Sequence, residues 1–202
     1  MRATLDGNDL PGPIGTLGEA IGAARDAAAV GGRVVIEARA DGSLVPDEML
    51  ENPLLAPASI GVVEFLSANP KAMVREALLS AAEALEKARQ DQGAVVAALD
   101  GGEVEAARSG MEPILGAWGA CVATIRDGAA LVGRDLSRPV GGASPERAVG
   151  TLIETLTEVK RAFRAEDWAG LSDAVGEDLE RHAAAWDAML RGLAEEMAEP
   201  RS

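Results

Sequence analysis

Residues 69–100 read NPKAMVREALLSAAEALEKARQDQGAVVAALD, and the fold turns on how that stretch is read. Asn69 offers a side-chain oxygen to the unpaired N–H groups of a first helical turn, and Pro70 lacks the N–H that would be orphaned there anyway. Val74, Leu78, Ala81, Leu85, Ala88, Val95 and Leu99 follow at alternating steps of four and three, with Gln92 standing where another apolar residue belongs. That rhythm lines one face of an α-helix, and Asp100-Gly101-Gly102 closes it.

Downstream the same rhythm recurs three times. A second helix is expected over about 103–133, with Leu115, Trp118, Val122, Ile125, Ala129 and Val132 as its apolar face. Pro113 lies inside it, where the ring clashes with the preceding turn, so a kink near 109–113 or a split into two helices is expected. After a Pro/Gly loop at 135–143, Ser144-Pro145 repeats the cap-and-proline entry. The helix it opens, 145–164, bears Val149, Leu152, Ile153, Leu156, Val159 and Phe163. A last helix follows Glu166-Asp167 to about 198, striped by Trp168, Leu171, Val175, Leu179, His182, Trp186, Met189, Leu193 and Met197. Four amphipathic helices on short loops bury their stripes most simply as an antiparallel four-helix bundle, here residues 69–202.

Upstream the period changes to two. Asp6-Gly7 and Asp41-Gly42 are dipeptides that favour two-residue turns, and each follows a short alternating run. Thr16-Leu17-Gly18-Glu19 has capping-box spacing, so a helix is expected over 17–30, stopped by Gly31-Gly32. Residues 33–40 and 60–66 are rich in β-branched and aromatic residues and read as strands; the three prolines of 46–58 make that stretch a connector. The fold class is therefore α+β, with a small N-terminal unit over 1–68, about four strands and one helix, ahead of the bundle.

Charge narrows the partners. Nineteen basic residues against thirty-three acidic ones leave −14, spread over every third of the chain. No basic cluster exists to hold a nucleic acid or an anionic membrane surface, so neither is expected as a partner. No run approaches the ~20 apolar residues that a membrane-spanning helix needs, and Asp6 and Asp9 stand where a secretory leader would be apolar. One cysteine, Cys121, allows no internal disulfide and fits a reducing compartment, so the cytoplasm is expected. Forty alanines, and sixteen arginines against three lysines, suggest a GC-rich bacterial source.

Chemistry is sparse. His182 is the sole histidine, with Asp178 four residues before it on the same helical face, a spacing at which a carboxylate can orient an imidazole. The simpler reading is a boundary histidine packed on Trp186. One histidine and one cysteine cannot furnish a Glu-x-x-His pair or a Cys/His zinc site, so no metal and no cofactor are expected. The glycines at 12, 15, 18 and 22 do not match a phosphate loop, and no catalytic residue is assigned. Tryptophans are frequent interface anchors, and Trp168, opening the last helix, is the one expected half exposed. The interaction candidates are Trp168, Trp186, His182 and Asp178. These readings favour a non-catalytic interaction module, adaptor or chaperone-like, that pairs with a protein partner or as a homodimer through a bundle face or the strand edge at 60–66. The alternative is a ligand-binding or enzymatic pocket between the two units, using His182 with Asp178.

Overall fold

The computed structural model describes residues 1–57 and 59–198 and is a mixed α+β protein. It divides into two compact units, Met1–Met73 and a second that begins at Val74. The last four residues of the expected helical unit, 199–202, lie outside the described residues.

The first unit is a five-stranded sheet carrying a helix. Its elements are β1 (Arg2–Leu5), β2 (Asn8–Asp9), α1 (Leu17–Val30), β3 (Val34–Ala40), β4 (Ser43–Leu44), α2 (Asp47–Glu51), a 3-10 turn (Pro53–Leu55) and β5 (Val62–Ala68). The strand order is β2-β1-β5-β3-β4; β1 and β5 run parallel and the remaining pairs antiparallel. β5 is thus the central strand, hydrogen-bonded on both sides. The strand edge expected at 60–66 does not exist, because β1, some sixty residues earlier in the chain, occupies it. The outermost positions are held by the two-residue strands β2 and β4, and β4 pairs only with Arg39 and Ala40 of β3.

Both Asp-Gly turns form as their sequence predicts. Asp6 and Asp41 adopt φ of 50° and 47°, and the glycines after them 81° and 83°, the positive values that a type I′ hairpin requires at both central positions. Each aspartate then does a second job. The Asp41 carboxylate accepts from the N–H groups of Gly61 and Val62 at the start of β5, and the Asp6 carboxylate accepts from the N–H and hydroxyl of Ser67 near its end. The two hairpins thereby clasp the central strand at both ends. α1 begins as read, with Thr16 accepting from the Glu19 N–H and the Glu19 carboxylate accepting from the N–H groups of Gly15 and Thr16. Its buried residues Leu17, Ala20, Ile21 and Ala24 share a core with Ala3, Ala38, Val45, Val63 and Phe65.

The second unit is helical: α3 (Pro70–Asp100, its first turn lying in the first unit), α4 (Val104–Val132), α5 (Pro145–Arg164), α6 (Trp168–Asp173), a π-helical stretch (Ala174–Leu179) and α7 (Glu180–Glu196). The Asn69 side chain accepts from the N–H groups of Lys71 and Ala72, and Ser144 and Asp167 cap α5 and α6 likewise. Helix α4 is one helix from 104 to 132, with Pro113 inside it, so the expected split does not occur.

The last helix departs from expectation in the other direction. Leu171, Val175, Leu179 and Ala183 are all buried at successive steps of four. Twelve residues over three turns exceed the 3.6 per turn of an α-helix, which would carry Ala183 about 120° round from Leu171. The π stretch, with more residues per turn, keeps all four on one face.

Helices α3 to α7 contribute to one hydrophobic core, centred on Leu85, Ile114, Trp118, Leu152, Leu179, Trp186 and Leu190. Trp118 and Trp186 meet edge to face, with ring centroids 5.5 Å apart. Contacts across helices pair Ala81 with Cys121, Arg89 with Glu180 and Thr155 with His182; Cβ atoms added at Gly128, Gly110 and Gly176 would press on Val74, Val95 and Val96. Arg134, largely buried, donates to Glu196 at 2.8 Å and to the carbonyls of Asp135 and Arg138, tying the loop after α4 to the end of α7.

Candidate functional site

The four residues singled out from sequence do not gather into one site. Trp186 is core, sealed against Trp118. His182 is part-buried on α7, and its Nε2 shares a 2.9 Å hydrogen bond with the Thr155 hydroxyl on α5. Burial, with the charge of Arg181, pulls its pKa below the ordinary imidazole value; Asp178 opposes this more weakly. The Asp178 carboxylate itself lies 3.0 Å from the Arg181 guanidinium rather than at the ring. Trp168 is half buried at the first turn of α6, edge to face with Phe163 at 6.3 Å.

Cys121 lies fully inside the core, its thiol 3.5 Å from the carbonyl of Ala81, and burial raises its pKa to about 11. A thiol held that far from ionisation is no nucleophile near neutral pH. Among the described residues, no three His, Cys, Asp or Glu side chains gather as metal ligands, and no helix is long and apolar enough to cross a membrane.

Trp168 leads to the site that the sequence reading missed. Between α4 and α5 runs a groove of about 630 Å³ lined by Met111, Leu115 and Gly119 on one side and Leu156, Val159 and Phe163 on the other. Arg108, Glu112 and Lys160 also line it. At one end the Arg108 guanidinium sits 5.3 Å from the Phe163 ring centroid and 6.0 Å from that of Trp168, a cation stacked on two aromatics that themselves meet edge to face.

The groove exists because α4 carries two apolar stripes. Met111, Ile114, Trp118, Cys121 and Ile125 turn into the core, whereas Leu115 and Val122, expected on the buried face, flank it, and Leu115 remains 42% exposed. On α5, Leu152 and Val159 are buried while Ile153 is 53% exposed. Large side chains thus stand half in water on both helices, and Gly119, with nothing within 4 Å of an added Cβ, leaves the space between them open. A second hollow of about 620 Å³, between α3 and α4, is lined by alanines, Val95 and Pro113 together with Lys87, Asp91 and Glu103.

No family model, curated protein or solved structure compared with this chain matches it.

Proposed function

We propose that this chain is a non-catalytic protein–protein interaction module, adaptor or chaperone-like, whose docking site is the α4/α5 groove. The observation that carries the reading is the apolar groove itself, with half-exposed Leu115 in its lining. Surfaces of that kind bind an apolar helix or segment more readily than a small polar substrate. The helical unit is read as an up-down-up-down four-helix bundle. Supporting this, contacts from α3 to α4 (Val74 to Gly128, Ala81 to Cys121, Val95 to Gly110) and from α3 to the last helix (Arg89 to Glu180, Val96 to Gly176) climb one helix while descending the other. The enzymatic alternative at His182 and Asp178 has less support: each already has its own neighbour, Thr155 and Arg181.

The test is retention of partners by tagged full-length chain from its native host, comparing wild type, Leu115→Asp, and the double variant His182→Ala with Asp178→Ala. The groove variant should lose what wild type and the double variant both retain. Equal retention by Leu115→Asp would refute the groove.

A further inference from the structure

Between Arg39 and Lys71 the chain carries Asp41, Asp47, Glu48, Glu51 and Glu64 and not one basic residue. Within that acidic stretch, α2 leads straight into the 3-10 turn Pro53–Leu55, where Leu54 is 93% exposed and Leu55 57%. Single exposed leucines are ordinary. Here two adjacent ones project from a turn closed by bonds from the Leu55 N–H to the Asn52 carbonyl and from the Ala56 N–H to the Pro53 carbonyl. Pro53 fixes its own φ, so the pair is held ready and loses little freedom on docking. The result is a dileucine knob preceded by Asp47, Glu48 and Glu51.

The α4/α5 groove is its complement. Met111, Leu115, Leu156 and Val159 offer apolar depth, and Arg108 and Lys160 outnumber Glu112 among the lining charges, in a chain that is −14 overall. Arg164 extends the cationic row one turn beyond Lys160. Arg108 has Glu105 3.8 Å away, but that carboxylate is itself almost wholly in water. Lysine and arginine beside an apolar slot favour an occupant that is oily at its tip and acidic at its flank.

We infer that the occupant of the groove is the Leu54-Leu55 knob of a second copy of this chain. This rests on the groove being the docking site proposed above and adds what fills it. Each chain has one knob and one groove, so the knob of one copy can seat in the groove of another.

Sedimentation equilibrium of the full chain tests this. Wild type should show a concentration-dependent rise from 20.7 kDa towards twice that mass. Leu54→Asp, at an almost wholly exposed side chain, and Leu115→Asp should each weaken the dimer by roughly 30-fold or more, the loss expected of a central anchor. Lys160→Glu, wholly on the surface, serves as a groove variant should Leu115→Asp fail to fold. Mixing the knob variant with a groove variant should then partly restore association, because one intact knob still meets one intact groove. A wild type that stays monomeric to millimolar concentration would overturn self-docking. A Leu54→Asp protein as dimeric as wild type, beside a dissociated groove variant, would overturn the knob and leave the groove standing. Groove variants as dimeric as wild type would overturn both.

Discussion

Gln92 occupies a place that helical rhythm reserves for an apolar side chain, and it is 2% exposed with neither amide atom hydrogen-bonded. A buried unpaired amide costs about 1–3 kcal/mol. Gln92→Leu should therefore stabilise the protein by about 1–2 kcal/mol, seen as a higher urea midpoint at unchanged slope. An unchanged or lower midpoint would mean that the amide is satisfied in solution. His182 makes a second prediction at this scale. Its folded pKa lies below the unfolded value, so as pH falls through about 6.5 the unfolded chain takes up a proton first and stability declines. The decline ends once pH passes below the folded pKa, and it should be absent in His182→Asn when thermal midpoints are compared across pH. Both residues could be singled out in the sequence, Gln92 as the one break in its stripe and His182 as the only imidazole. The Thr155 partner of His182 and the burial of Gln92 could not, since both depend on which helices become neighbours.

At the scale of elements, the clasp on β5 is acid-sensitive. Two bonds from Ser67 hold the Asp6 carboxylate below the usual carboxylate range, aided by Arg33. A lowered carboxylate pKa contributes stability above the unfolded value near 4, lost as pH falls through the folded one. Asp6→Asn should lower stability at neutral pH and flatten the acid limb of the stability profile; a limb as steep as wild type would assign it to other carboxylates. Helix spacing supplies another test. A Cβ at Gly110 would come 2.6 Å from a Val95 methyl. Gly110→Ala should cost about 1–2 kcal/mol, overpacking outweighing the gain in helix propensity, and less in a Val95→Ala background. Elements were the most legible level. Thr16…Glu19, Asn69-Pro70, Ser144-Pro145 and both Asp-Gly turns act through neighbours in sequence, and each forms as read. What escaped depends on distant pairing. Whether β5 is edge or centre is decided by β1, and whether Leu115 faces inward is decided by the helices packed on α4, which offers two interleaved stripes sharing Trp118, Ile125 and Ala129. That doubled stripe was the sequence signal for the groove, hidden because Leu115 and Val122 complete an apolar face at regular helical spacing.

Over the whole molecule, the charge of −14 means that like charges repel within every copy. Adding neutral salt from a few millimolar to about 0.15 M should raise the thermal midpoint by screening that repulsion, and a falling midpoint would show the ion pairs to matter more. The Cys121 thiol reports on the same global transition: it should resist modification in the folded chain and react once the core opens. Finally, the π-helical stretch changes what the chain tolerates in length. Leaving out Gly176 would bring Leu171 and Ala183 eleven positions apart, about three regular turns, so both would keep their places with no irregularity between them. The same omission in the middle of α7 would swing every later side chain by about 100° and turn Leu193 and Met197 away from their neighbours. A one-residue shortening should thus be silent at one point of this helix and ruinous a few turns further on.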